Sequence, residues 1–271
     1  MSSSASPASW YLGPRALQKR LAALPLPAWR FYDVVGSTND VALQWAAQGA
    51  AEGCLVIADA QTQGRGRSGS RWWTTPQASL AVSLIARPLP TEREALPRFT
   101  AWAALALAEA LAQTHGLQAA IKWPNDVLLE GRKVAGVLAE TLWDGNTPQA
   151  VIVGIGVNLA TQAVPPRQEV DFPATSVAHV LGTTPDRWAL LDALLQRMLF
   201  WRNRLASQRF IRAWENRLAY RGEIVQAGTH QGVLLGLDAQ GGLRLRCADG
   251  HVETLYALQG HLRPKRSPQV G

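Results

Sequence analysis

The run 61–73, Gln-Thr-Gln-Gly-Arg-Gly-Arg-Ser-Gly-Ser-Arg-Trp-Trp, sets Gly64, Gly66 and Gly69 among Arg65, Arg67 and Arg71. Apolar runs at 54–60 and 79–86 bracket it and read as buried strands. The chain must therefore build a sheet in which two core strands are joined by a flexible, cationic loop. Glycine lets the backbone take positive φ and come close to a ligand. Successive backbone N–H groups in such a turn can make an anion-binding concavity. Arginine adds a planar fork matched to phosphate or carboxylate. Together these suit a polyanion, although a Gly/Arg loop by itself is more often a solvated surface feature or a nucleic-acid contact than a catalytic cradle. The loop is no P-loop, because no Gly-Lys-Ser/Thr follows the glycines. Nor is it a dinucleotide fingerprint, because the Ser-Arg-Trp-Trp-Thr-Thr-Pro after Gly69 does not open a helix.

A chain of 271 residues can bury a full core and carry a small second domain. The net charge of +7 comes with only four lysines, Lys19, Lys122, Lys133 and Lys265. Its dense basic clusters are the loop at 64–71 and the tail at 262–266. That excess fits anionic ligands or an acidic partner. No basic helix or long basic run appears, so specific DNA binding is not expected. Cys54 and Cys247 are far apart without metal-ligand spacing and read as ordinary residues of a reducing compartment. With no signal-peptide pattern and no spanning apolar run, a cytoplasmic protein without membrane attachment is expected.

The pattern of elements predicts an α+β fold, with a mixed central β-sheet flanked by helices. Residues 1–8 read as a frayed end and 15–24 as a short helix. A strand at 31–35 leads to the turn Gly36-Ser-Thr-Asn39 and a helix over 40–48, with Thr38 or Asn39 as N-cap. A long Ala/Leu helix over 99–114 has almost no polar face and must be buried. Residues 127–129 and 134–141 read as a hairpin with its tip at 130–133, and 149–157 as a further strand. The segment 160–175 lacks a period, as mobile functional loops do. A helical pattern covers 186–218, its arginines read as a solvated face. Four short strands with glycine turns follow 220, the signature of a small all-β barrel or sandwich. The expected division is an N-terminal extension at 1–28, a catalytic unit at 29–219 and a β domain at 220–271.

Three further clusters join the arginine loop. Lys122-Trp-Pro-Asn-Asp126 puts a lysine, an amide and a carboxylate around a proline turn, and Asp126 is a candidate metal ligand. Arg132-Lys133-Val-Ala-Gly136 sets a lysine at the foot of a strand. Gly154-Ile-Gly-Val-Asn158 leaves room for a flat ligand at a strand end. Taken singly, each also reads as a common turn, a solvated tip or a tight strand end. No Ser-His-Asp or Cys-His arrangement is readable, and the five histidines lack metal-binding spacing. The missing nucleophile and base point to chemistry by positioning and charge neutralisation, as in nucleotidyl or phosphoryl transfer.

In order and spacing, these clusters and the Gly36-Ser-Thr-Asn39 turn resemble the biotin protein ligases from about residue 29 to the C-terminus. The resemblance implies a class II synthetase-like catalytic domain with a small SH3-like β-barrel behind it. It implies ATP-dependent activation of biotin to biotinyl-5′-AMP with Mg²⁺, then transfer to a lysine of a carboxylase's biotin carboxyl carrier domain. No tightly bound prosthetic group is implied. Carried over by position, Ser37, Thr38, Asn39 and Gln61 would hold biotin. Arg65, Gly66, Arg67, Lys133 and Gly136 would line it, with Lys133 and Arg67 stabilising charge in the reaction. Gly64, Arg65, Arg67, Trp72, Lys122, Asn125, Asp126 and Asn158 would serve ATP and the adenylate. Gly156 would give the ligand room, and Phe172 is the candidate cover for the adenine. Ser68 and Ser70 stand where members of the family often carry arginine. Only 36 residues precede Ser37, so no repressor module is expected, and the state is expected to be a monomer or weak homodimer. A lipoate protein ligase of the same fold and a non-enzymatic biotinyl-AMP-responsive regulator are the alternatives.

Overall fold

The computed structural model describes residues 9–258 and 260–265. The expected frayed end at 1–8 and Arg266 of the basic tail lie outside them. Strands β1 (Trp29–Val35), β2 (Leu55–Gln61), β3 (Ser79–Ala86), β4 (Ala120–Lys122), β5 (Asp126–Leu129), β6 (Arg132–Asp144) and β7 (Thr147–Asn158) form one sheet. Its order is β1-β2-β3-β7-β6-β5-β4. β1 and β2 run parallel and the other neighbours antiparallel, so the sheet is mixed as expected.

The helices are α1 (Arg15–Leu21), α2 (Thr38–Ala47), α3 (Pro97–His115), α4 (Val177–Leu181), α5 (Arg187–Arg202) and α6 (Gln208–Glu215). The twofold period of the strands divides the sheet's side chains between two faces. Leu80, Val82 and Leu84 of β3 and Val151, Val153, Ile155 and Val157 of β7 enter the main core with α3 and α5. α3 is alanine-rich, so it lies close between the sheet and α5, with Trp102 donating to the Met198 carbonyl at 2.9 Å. Leu17 and Leu21 of α1 are fully buried in the same core, so the segment before residue 29 is packed into the body of the protein. The opposite face carries a smaller cluster around α2, with Ala42, Ala46, Ile85 and Ile152. Ser83, Gly154, Gly156 and Asn158 belong to that second face by parity.

A bulge makes the face of β6 work. Val127 pairs with Ala135 but Leu128 pairs with Lys133, so Val134 is the extra residue. Lys133 and Gly136 are an odd number of residues apart and would otherwise point to opposite faces; the bulge restores the phase. The hairpin tip is shorter than the expected 130–133. Glu130 and Gly131 alone make the turn, with φ of 49° and 70°, the positive pair that a two-residue I′ turn requires.

Three local expectations change. Ser37 takes the N-cap position of α2 without a side-chain capping bond, and Thr38 and Asn39 lie inside the helix with their side chains engaged elsewhere. The helical run 186–218 is broken at 203–207, where Ser207 caps α6 by accepting from the Phe210 N–H. Its arginines are not all solvated. Arg202 is 8% exposed and meets Glu92 at 2.7 Å and Glu52 at 2.5 Å.

Beyond α6, strands β8 (Ile224–Ala227), β9 (His230–Leu237), β10 (Leu243–Arg246), β11 (Val252–Leu255) and β12 (Leu262–Pro264) form an antiparallel sheet of order β11-β10-β9-β8-β12. This is consistent with the expected small barrel. β12 escapes a pattern search because three residues, one of them an edge proline, carry no period. The sheet is tied to the main body through backbone groups. Trp123 donates to the Gly241 carbonyl at 3.1 Å, and Arg98 to the carbonyl of Ala239 at 2.7 Å. Among the described residues no helix is long and apolar enough to cross a membrane.

Arg202→Ala would strand the buried Glu92 without its charge partner. We expect a loss of about 3–5 kcal/mol in unfolding free energy, the usual consequence of breaking a buried ion pair. Urea denaturation at neutral pH measures it, and a loss below about 1 kcal/mol would place this cluster among weak surface pairs.

Candidate active site

The second face of the sheet opens into a cleft beside α2. Gly136 on β6 stands opposite Gly156 on β7, which in turn faces Ala81 on β3; Gly154 faces both Ser83 and Leu138. These glycines are required by close approach. A Cβ at Gly156 would collide with the indole of Trp72, and one at Gly154 with the side-chain amide of Asn39.

At the inner end is a closed set of polar side chains. Gln61 Oε1 accepts from the Thr38 N–H at 2.8 Å and lies 3.1 Å from Thr38 Oγ1. The Ser83 hydroxyl lies 2.7 Å from Thr38 Oγ1 and 2.6 Å from Asn39 Oδ1. Asn39 Nδ2 donates to Glu140 at 2.5 Å. Ser37, Thr38 and Asn39 are all buried, so this end is dry and its donors are fixed in direction. Ser83 and Glu140 were missed in the sequence. A serine in the apolar run 79–86 was the available signal for the first. Glu140 carried none, because its role depends on β6 lying beside β7.

The arginine loop is more ordered than a flexible cradle. Trp72 N–H donates to the Gly64 carbonyl (2.9 Å), Gly66 N–H to the Ser70 carbonyl (2.7 Å), and Arg65 and Arg71 form a bridge between them. With those N–H groups spent inside the loop, anion recognition falls to side chains. Arg65 lines the cleft, but its fork is bidentate to Asp40 at 2.8 and 2.6 Å and reaches Glu140 at 3.2 Å. The Asp40 hydrogen bonds, with Glu140 behind them, raise its pKa further above the ordinary arginine value. Arg65 therefore pins the loop to α2 and β6.

Arg67 turns inward. It donates to Asn125 Oδ1 at 3.2 Å and to the Leu258 carbonyl at 3.4 Å, with no carboxylate of the described residues in direct contact. Burial pulls its pKa down, and the nearby Asp126 opposes that. Asp126 itself holds two lysines, with Oδ1 2.7 Å from Lys133 Nζ and Oδ2 2.9 Å from Lys122 Nζ. Neither Lys122 Nζ nor Asp126 Oδ1 makes an aligned hydrogen bond, so the attraction of Asp126 for its two lysines is mainly Coulombic. Burial works to raise the Asp126 pKa, but Lys133 and Lys122 outweigh it and hold the carboxyl below its usual range. Burial pulls Lys122 down, and Asp126 partly restores it. One carboxylate thus gathers three cations at one point. Because both oxygens of Asp126 are taken by ammonium groups, the residue set does not fit the expected direct metal ligand.

Lys133 is held from its backbone as well. Its N–H donates to the Pro173 carbonyl and its carbonyl accepts from Thr175, both at 2.8 Å, so the end of the 160–175 segment pairs with it. Asn158 Nδ2 donates to the Thr175 carbonyl at 3.1 Å and closes the same joint. Lys133 is therefore a fixed strand residue and not a solvated tip. Trp72 lies between the inner recess and a second cavity of about 260 Å³ that includes Asp126, Asn158 and Phe172 in its lining. The Phe172 ring lies 3.9 Å from Lys122 Nζ. A third cavity of about 390 Å³ adjoins Arg67, Lys122 and Leu258 and reaches the C-terminal sheet. Lys133 lines all three recesses, and Lys122 the third.

Residues 31–158 match the Biotin/lipoate A/B protein ligase family. The chain is 41% identical over 222 residues to a biotin--[acetyl-CoA-carboxylase] ligase of Paracoccus denitrificans, covering 78% of this chain and 90% of that protein. It is 35% identical over 252 residues to a biotin--[acetyl-CoA-carboxylase] ligase of Mycobacterium tuberculosis, covering 87% and 90%. The structure superposes with a TM-score of 0.74 on the biotin protein ligase from Aquifex aeolicus in complex with biotin and ATP, at 29% identity, covering 89% of this chain and all of that one. With the fold, the cleft and the sequence in agreement over most of its length, the chain belongs to the biotin protein ligase family.

Proposed function

We propose that the cleft activates biotin with ATP and then passes the biotinyl group to a lysine of a carboxylase's biotin carboxyl carrier domain. The observation that carries this reading is the cation cluster around Asp126, whose Lys133 lines all three recesses. In the first half-reaction a biotin carboxylate oxygen bonds to the α-phosphorus of ATP and the bond to the β-phosphate oxygen breaks. Two anions must approach, so the site has to supply positive charge fixed in advance. Lys133 and Arg67 do so, and neither acts as a base. The inner recess with Ser37, Thr38, Asn39 and Gln61 takes the ring end of biotin. The cavity lined by Trp72, Asn158 and Phe172 takes the nucleoside. The recess beside Arg67 and Lys122 takes the departing pyrophosphate. Mg²⁺ arrives with the nucleotide as part of the substrate. In the second half-reaction the acceptor amine attacks the acyl carbon, AMP leaves and the amine gives up a proton. The unit 29–219 carries the chemistry, and 220–271 closes it from outside through Leu258.

Exchange of labelled pyrophosphate into ATP tests the first step. Exchange is expected with biotin and not with lipoate or without acid; exchange with lipoate alone would move the protein to lipoate chemistry. Lys133→Ala should lower the rate at least a thousandfold while the unfolding curve stays near wild type, and wild-type turnover would end its assignment. Ser83→Ala should raise the KM for biotin about tenfold with little change in kcat, the size of one lost orienting hydrogen bond. An unchanged KM would remove Ser83 from the biotin end. Arg67→Gly should release the adenylate early, seen as more labelling of bystander lysines by mass spectrometry; unchanged labelling would argue against Arg67 as a residue that retains the adenylate.

A further inference from the structure

On the far side of the C-terminal sheet, three donors converge that the catalytic cleft does not use. We propose that Cys247, His251 and Glu253 form a transition-metal site of the zinc type at the tip of the β10–β11 hairpin. The ladder runs through Leu245↔Glu253 and Arg246↔Val252. Past its end, the Cys247 N–H donates to the His251 carbonyl at 2.9 Å, which makes these two residues the next rung around the turn at 248–250. Residues on adjacent rungs alternate faces. Cys247 therefore shares a face with Leu245, and His251 with Glu253 across from them. One ligating atom from each of the three lies within 4.8 Å of the others.

The surroundings orient these donors as outer neighbours of a bound metal do. Asp249 Oδ1 lies 2.5 Å from His251 Nδ1, so the carboxylate takes that N–H and leaves the Nε2 lone pair free. His230, reaching across from β9, lies 2.8 Å from the Glu253 carboxylate. An ordinary surface hydrogen-bond cluster would account for the two carboxylates and two histidines, but a thiol adds almost nothing to such a cluster. As thiolate it adds a soft donor. One sulfur, one imidazole nitrogen and one carboxylate oxygen is a set that favours Zn²⁺ over Mg²⁺ or Ca²⁺. Zn–S and Zn–N bonds of about 2.3 and 2.0 Å draw the donors closer than they stand here. The side chains sit at a hairpin tip, where rotation costs little, and water completes the fourth position. His251 is 59% exposed at its side chain, so the site is open to solution metal.

Such a bridge would tie β10 to β11 and, through His230, to β9. A sheet this small has a modest core, and a metal cross-link is a common way to steady one. The proposal stands apart from the catalytic reading, because none of these residues lines a cavity around Asp126.

The test uses the full chain without a polyhistidine tag, kept reduced. Co²⁺ added to wild type should bind at one equivalent with a near-ultraviolet thiolate-to-cobalt absorption band, and Zn²⁺ should displace it. Cys247→Ser should lose the band, His251→Ala should weaken binding at least tenfold, and Zn²⁺ should raise the Tm of wild type but not of either variant. Cys54 is buried and does not compete for the metal. Absence of the band in folded wild type would overturn the proposal. So would a band of equal affinity in His251→Ala and Glu253→Gln, which would make Cys247 a lone thiol.

Discussion

A single buried carboxylate organises the catalytic side of this molecule. Asp126 is 5% exposed and has Lys122 and Lys133 on its two oxygens, with Arg67 close behind. Without it, two ammonium groups and a guanidinium would be pressed together in a region of low dielectric, where repulsion is weakly screened. With it, the cluster is stable and still keeps an excess of positive charge. That excess is what an approach of carboxylate to phosphate needs, and the fold holds it ready before any anion arrives.

The sheet makes this arrangement possible by giving each face one task. β3 and β7 send their branched apolar side chains toward α3 and α5. Their other face can then carry Ser83, two glycines and Asn158 without loss of core. The bulge at Val134 extends the same face along β6, so that Lys133 and Gly136 both look into the cleft. Small residues on the floor let Trp72 lie flat against the sheet, and the indole divides the inner recess from the outer ones.

Three segments distant in sequence close over the lysine pair. Arg67 of the arginine loop meets the carbonyl of Leu258, and Asp171 of the 160–175 segment meets His261 and Arg263. The C-terminal sheet is therefore in contact with both loops that border the cleft. A ligand that moves either loop must also disturb these contacts, which gives the small sheet a physical route to influence closure.

Much of this was readable before any coordinate. The apolar runs and their glycine breaks specified the strands on either side of the arginine loop, and β3 falls where its run predicts, because a continuous buried run leaves little choice of boundary. The alanine-rich composition of α3 announced a buried helix. The clusters around Lys122, Lys133 and Gly154 supplied residues that the structure brings to one cleft, because the residue types themselves carry charge or leave room. What the chain's order does not contain is which side chains meet. Ser83 joins the polar end through the β3–α2 packing, and Glu140 through β6 lying beside β7. Arg65 lines the cleft with its fork held by Asp40, and Arg202 is drawn from a solvated face to a buried acid pair. Cys247 and His251 show no recognised metal spacing in the sequence, and only the hairpin register sets them opposite each other. Residue type and local period fixed the elements and the available chemistry. Pairing register, a one-residue bulge and burial decided the partners, because those depend on distances between segments that are far apart along the chain.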